Sequence, residues 1–233
     1  MTPKDLLIYK EKPALVQAAA QLIAGAIRNT LQHQSTCKFA LAGGSTPGPA
    51  YAALADAAVV GDLPFEKIEI VFGDERCVAA DHPDSNYAMA RQAFGEKFDQ
   101  FMTVHRVAGE LDRIQAAAEY ESALATPIDV LLLGMGPDCH VASLFPGSVA
   151  FAHHHAKAMA VQCPKPPPWR ITITPEVIKQ SKHVFILATG AEKAPALLEV
   201  FTKPVDPTQR PAQLVLDGTW LVDAAAASQL NLT

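Results

Sequence analysis

The sequence predicts a doubly wound α/β fold, a Rossmann-like, mainly parallel sheet with helices on both faces. Three observations carry that expectation. Strand-like apolar runs alternate with helix-patterned segments along the whole chain, the arrangement that βαβ units produce. The run from Asp129 to Leu133 is apolar without alternation after its first residue, as in a parallel strand buried on both faces. Two strand-like segments then end in glycine-rich turns, and in open α/β sheets ligands bind where strands end at their carboxyl edges.

Taken in order, Leu6 to Tyr9 reads as a short strand and Pro13 to Leu31 as a helix with Leu15, Ala19, Leu22 and Ala26 along one face. Lys38 to Ala42 is a strand, followed by a glycine-rich turn and a helix over Pro47 to Ala58. Proline is tolerated in a first turn because its missing N–H would have no partner there. Lys67 to Phe72 alternates as a strand and leads into a polar loop. A helix follows over Ser85 to Phe94, with Asp84 or Ser85 as its cap. Met102 to Val107 is another strand, and the Ala/Glu/Leu-rich Glu110 to Ala125 a helix. After the central strand come strands at Lys157 to Gln162 and Arg170 to Thr174, then a strand at His183 to Thr189 and a helix at Glu192 to Phe201. A short strand, Leu214 to Leu216, and a helix, Thr219 to Ala227, close the pattern. No repeat interrupts it. The prolines of Cys163-Pro-Lys-Pro-Pro-Pro168 read as a stiff surface loop, since strand-like sequence resumes at once. The whole of 1–233 is expected to be one domain.

Composition narrows the function. With 233 residues, 49% hydrophobic and 18% charged, the chain is globular. A net charge of −5 argues against a nucleic-acid partner, which would want a broad basic surface. It does not exclude a small anion, because a few local donors hold one phosphate. The four cysteines (Cys37, Cys77, Cys139, Cys163) have neither zinc nor disulfide-framework spacing and are expected to stay reduced in a cytoplasmic protein. The first residues lack a signal-like apolar core, and no run of 18 apolar residues suggests a membrane span.

The segment Leu131 to Pro146 carries the most chemistry. Its strand breaks at Gly134, Gly136 and Pro137 and delivers Asp138 and His140. A histidine at a strand's carboxyl end can take and return protons near neutral pH without a metal, whereas a capping histidine would not need the acid beside it. A Cys139–His140 nucleophile pair is disfavoured, because adjacent residues seldom aim at one another. Gly134-x-Gly136-x-x-Cys139 imitates a dinucleotide fingerprint but lacks its third glycine. In Ala42-Gly43-Gly44-Ser45-Thr46-Pro47-Gly48, backbone N–H groups, hydroxyls and a helix N-terminus suit a phosphate. Pro47 rules out a nucleophile elbow, and no Gly-Lys-Ser/Thr makes a Walker loop. Gly73-Asp74-Glu75-Arg76 places charges at another strand end, and Arg170 and Lys193 add cations of the kind that pair with phosphate. His153-His154-His155 has no acid or cysteine at ligand spacing and reads as an exposed loop.

Together the blocks LAGGSTP (41–47), FGDER (72–76), DSNY (84–87), LLLGMGPDCHVASLFPG (131–147), RITIT (170–174) and GAEKA (190–194) resemble the 6-phosphogluconolactonase family. That family is part of the sugar-phosphate isomerase/deaminase-like superfamily. The resemblance implies hydrolysis of 6-phosphoglucono-δ-lactone in the oxidative pentose phosphate pathway, without metal or cofactor. His140 then corresponds to a general base and Asp138 to its neighbour. Gly43, Gly44, Ser45 and Thr46 correspond to the phosphate loop, and Arg76, Arg170 and Lys193 to cations around the substrate. Asp74 and Asn86, within the matching blocks, are expected at the substrate too. Two positions depart from the family: Cys139 stands where glycine is usual, and Ala42 where serine is common. If position 139 needs a positive φ, cysteine costs on the order of 1 kcal/mol. Glucosamine-6-phosphate deaminases share the phosphate loop, but they carry Asp-Glu-Tyr and an acid after the histidine. This chain has Asp74-Glu75-Arg76 and Ala142-Ser143-Leu144-Phe145-Pro146. A non-catalytic sugar-phosphate-binding regulator is the other alternative, and it has little need of a histidine beside an acid. The protein is expected to be a monomer or a homodimer.

Overall fold

The computed structural model describes residues 5–153 and 155–230. His154 of the histidine tract lies outside them. Seven strands form a parallel sheet: β1 (Asp5–Tyr9), β2 (Cys37–Leu41), β3 (Ile68–Phe72), β5 (Thr103–Val104), β6 (Val130–Gly134), β9 (His183–Ala188) and β10 (Thr219–Asp223). Their order across the sheet is β1-β10-β9-β6-β2-β3-β5, with every pairing parallel. All five residues of β2 are buried, as are Val130 to Leu133 of β6, so both faces of the sheet are covered. This is why these strands read as unbroken apolar runs.

Around the sheet pack α1 (Lys12–Leu31), α2 (Pro47–Ala55), α3 (Ala57–Val60), α4 (Asn86–Phe94), α5 (Glu96–Gln100), α6 (Arg113–Tyr120), α7 (Pro175–Gln180) and α8 (Ala194–Thr202). Helix α1 buries Leu15, Ala19, Ile23 and Ile27, while Leu22, expected on that face, is exposed. Pro47 opens α2 as expected. At α4 the capping residue is Ser85, whose hydroxyl accepts from the Ala88 N–H.

The chain leaves β2 for β3 and β5 on one side, and leaves β6 for β9 and β10 on the other. Neighbours β2 and β6 therefore flank the point where strand order reverses, and the loops at their carboxyl ends are splayed apart.

Four expectations are corrected. Leu214 to Leu216 is not a strand but lies in and just beyond a 3₁₀ turn, Pro211–Val215. Thr219 to Ala227 is not a helix: its first half is β10, whose Trp220, Leu221 and Val222 are fully buried between β1 and β9. The helix-favouring alanines that follow form a turn closed on Asp223, which accepts from Ala226 N at 2.8 Å. The helix expected from Glu110 starts at Arg113, because the Asp112 carboxylate caps Ile114 and Gln115 N–H groups at 2.9 and 3.2 Å. The polar loop after β3 contains a strand, β4 (Asp74–Arg76). It pairs antiparallel with β8 (Trp169–Ile173), which pairs antiparallel with β7 (Ala158–Gln162). This small second sheet carries the proline loop as the connection between β7 and β8.

Candidate active site

A cleft of about 490 Å³ opens at the carboxyl ends of the strands flanking the reversal point. Its walls include Gly43, Gly44, Ser45, Thr46, Asp74, Arg76, His140, Arg170 and Lys193. Segments as far apart in sequence as 43 and 193 are thus brought to one place. Asp138 and Asn86 are not on its walls; each stands behind a residue that is.

The turn after β2 is shaped by two glycines. Gly44 has φ +110°, a conformation side chains rarely adopt. An added Cβ on Gly43 would stand 2.0 Å from the Asn86 amide oxygen. Asn86, expected at the substrate, is instead buried beneath this glycine. Its Nδ2 donates to the Asp74 carbonyl at 2.8 Å and to Asp74 Oδ1 at 3.1 Å. Thr46 Oγ1 shares a 2.8 Å hydrogen bond with Thr189 Oγ1, tying this turn to the loop after β9.

Asp74 is buried and fully engaged. Besides Asn86, its carboxylate accepts from Ser143 Oγ at 2.5 Å and lies 3.8 Å from Arg170 Nη1. Glu75, its neighbour, points the other way and takes the N–H groups of Asn86 at 2.7 Å and Tyr87 at 2.8 Å. Burial pushes the Glu75 carboxyl up, partly offset by those N–H donors. Arg76 donates from Nη1 to the Asp84 carbonyl at 2.6 Å.

The turn after β6 carries the histidine. Gly136 N donates to the His140 carbonyl at 2.9 Å and Cys139 N to the Gly136 carbonyl at 3.1 Å, closing a tight loop. Cys139 has φ +65°, the left-handed conformation that makes glycine usual in such a place. Inside the loop, His140 Nδ1 is hydrogen-bonded to Asp138 Oδ1. The imidazole stacks on Phe145, with centroids 4.2 Å apart and planes 19° apart. Burial opposes the Asp138 charge, but the His140 hydrogen bond, the His140 charge and Lys165 more than reverse this. The carboxyl is held well below its usual range. An ionised carboxylate only accepts, so Nδ1 carries a proton, and in the neutral ring Nε2 is then the bare nitrogen. That tautomer can receive a proton from the cleft.

Five cations line the cleft (Lys12, Arg76, Lys165, Arg170 and Lys193) against three acids, Asp74, Glu192 and Asp223. Of the acids, Asp74 is engaged as above, and Asp223 accepts the Gly190 N–H at 3.0 Å. An acidic chain therefore holds a locally cationic cleft. Burial pulls the Lys193 ammonium down, Lys165 adds to this, and Glu192 and Asp138 oppose it.

Lys12 and Lys165 were not singled out from sequence. Lys12 sits in the first turn of α1, and its Nζ donates to the Ser45 carbonyl at 2.9 Å. A cation there opposes the helix dipole, which was the one available signal. Lys165 lies in the proline loop, read only as surface. Among the described residues no group of three or more metal-ligating side chains occurs, and no helix is long and apolar enough to cross a membrane.

Comparison with known proteins agrees with this geometry. The family described as glucosamine-6-phosphate isomerases/6-phosphogluconolactonase matches residues 10–222. A 6-phosphogluconolactonase of Nostoc sp. is 36% identical over 98% of this chain and 99% of its own. The solved structure of 6-phosphogluconolactonase from Trypanosoma brucei is 29% identical, with a TM-score of 0.85 over 99% of this chain and 100% of that one. A monomeric glucosamine-6-phosphate deaminase, at 22% identity and a TM-score of 0.83 over 97% and 99%, shares the fold.

Proposed function

The chain belongs to the glucosamine-6-phosphate isomerase/6-phosphogluconolactonase family, and from that premise we propose that it hydrolyses 6-phosphoglucono-δ-lactone to 6-phosphogluconate, with His140 as general base. It is a lactone hydrolase, serving in this reading the oxidative pentose phosphate pathway of the cytoplasm. The observation that carries the assignment is the Asp138–His140 pair, bonded through Nδ1, with His140 on the wall of a cleft rich in cations.

In this reading the phosphate docks on the 43–46 turn with Arg170 and Lys193, leaving the lactone carbonyl near His140. Neutral His140 takes a proton from water through Nε2 as the water attacks that carbonyl. The imidazolium, stabilised by Asp138, then returns the proton to the departing ring oxygen. The N–H groups of Gly136 and Cys139 are consumed by their own turn. In this reading the Arg76 guanidinium, on the cleft wall, stabilises the oxyanion. No covalent intermediate is needed. Cys139 is buried, and burial pushes its thiol up to about 11, far from a nucleophile at neutral pH.

The deaminase reading fits less well. Among the described residues the carboxylate bonded to His140 is Asp138, and the segment after the histidine supplies Ser143 to Asp74 and Phe145 to the imidazole face. The deciding experiment measures hydrolysis of freshly prepared 6-phosphoglucono-δ-lactone over its spontaneous background, with glucosamine-6-phosphate as the control substrate. Turnover of the lactone alone is expected; a rate equal to the blank overturns the proposal.

A further inference from the structure

We propose that Lys165 is a positioning residue for the histidine, a second partner of Asp138 that keeps His140 neutral and correctly aimed at the pH where it works. This rests on the reading of His140 as a general base, and it assigns to the proline loop a function that its composition does not announce.

Asp138 uses both carboxylate oxygens. Oδ1 is bonded to His140 Nδ1, while Oδ2 lies 3.4 Å from Lys165 Nζ. The same ammonium stands 5.4 Å from the centre of the Phe145 ring, whose plane stacks on the imidazole. Lys165 and His140 are therefore joined twice, once through a shared carboxylate and once through a shared ring.

Each link has a physical consequence. A carboxylate beside a histidine favours the imidazolium, which is useless as a base. A cation on the other oxygen of that carboxylate lowers the attraction and returns the proton-accepting form. Holding Oδ2 also fixes rotation of the carboxylate, so that Oδ1 keeps Nδ1 and leaves Nε2 for the cleft.

Lys165 stands on a short, proline-bounded bridge. Cys163 N donates to the Pro168 carbonyl at 2.6 Å, closing the loop at its base between β7 and β8. Pro164, Pro166, Pro167 and Pro168 leave little backbone freedom between those ends. An ammonium on a flexible stem is thus delivered by a stiff arm. Its ionic contact is only half-buried, so its effect is on direction and titration rather than on fold stability.

Other charges also face the imidazole. Arg170, from β8, lies 5.9 Å from the same Phe145 ring. From the loop after β9, Glu192 and Lys193 line the cleft, and from β4 so do Asp74 and Arg76. Arg170 is balanced by Asp74, and Lys193 stands beside Glu192. Of the cleft-lining cations, Lys165 is the one paired with the carboxylate that holds the histidine.

The test is an NMR titration of the His140 ring in the ligand-free protein, comparing wild type with Lys165→Met and Lys165→Arg. Loss of the cation is expected to raise the His140 titration midpoint by about 0.5–1 pH unit, with Lys165→Arg near wild type. The acidic limb of kcat/KM for the lactone should move upward by the same amount in Lys165→Met. An unchanged or lowered midpoint in Lys165→Met overturns the proposal, as does an equal shift in Lys165→Arg. Because the ring titration needs no substrate, it still decides the role of Lys165 if the lactone is not turned over. In that event only the functional reading fails.

Discussion

Asp138 and His140 meet across the α-carbon of Gly136, where an added Cβ would stand 2.0 Å from His140 Nδ1 and 2.4 Å from Asp138 Oδ1. The pair exists only because that position has no side chain. Gly136→Ala should leave the sheet intact and displace the imidazole, lowering kcat by about 10²-fold or more, since a misplaced base loses most of its effect. Circular dichroism and lactone kinetics on the same preparation check this; a normal kcat in the Gly136→Ala protein would mean the ring need not sit here.

Removing the imidazole itself should be more specific. His140→Ala is expected to reduce kcat by at least about 100-fold with KM little changed, because the phosphate contacts remain. Near-normal turnover by this variant would sink the base mechanism.

The Asp138 carboxyl gives a pH signature. Its value is depressed in the folded protein, so its contribution to stability is fully present above the unfolded value of about 3.9 and is lost as pH falls through the folded one. From pH 5 downward, the urea midpoints of wild type and Asp138→Asn should therefore converge, most of the change falling below about pH 4. Parallel curves down to pH 2 would mean that the carboxylate gains nothing from its partners.

Cys139→Gly should be nearly silent. Relief of the positive φ offers on the order of 1 kcal/mol, offset by loss of a buried side chain whose Sγ lies 3.7 Å from the Ala196 carbonyl. Activity should stay within a few-fold of wild type. In the native protein, a thiol reagent should label Cys139 far more slowly than a free thiol, checked by mass spectrometry.

Phosphate anchoring predicts that glucono-δ-lactone without the phosphate is processed at least about 100-fold less efficiently, a few kcal/mol of charge-assisted contacts. Arg170→Ala should raise KM more than it lowers kcat. It should also cost about 1–3 kcal/mol of stability, by leaving the buried Asp74 to Ser143 and Asn86. Equal kcat/KM for the two lactones would remove the anchor.

The legible parts of this molecule are those decided over short distances. The run into Gly134, the turn at Gly136 and the cap at Ser85 are each settled within a few residues, and each stands where its pattern placed it. The illegible parts depend on distant partners. Trp220 to Val222 could be read as a helix because alanines follow, and only the vacant place between β1 and β9 makes them a strand. Lys12 and Lys165 reach the cleft because α1 and a second sheet are docked beside it, which local pattern does not encode. Asn86 lay in a matching block that could not tell a wall residue from the one supporting Gly43.

The place of β10 also orders events in time. Asp5 of β1 pairs with Thr219, and among the described residues β1 has no other neighbour in the sheet. During synthesis this early strand must wait, edge unpaired, until almost the whole chain has followed it. The nascent sheet can close early from β6 through β2 to β3, yet its far side is sealed last. The loop bearing Gly190 and Lys193 takes its anchor from Asp223, at the end of that final strand. The cleft therefore needs β10 to be complete, and a chain stalled before that strand would carry the histidine turn without a finished site around it.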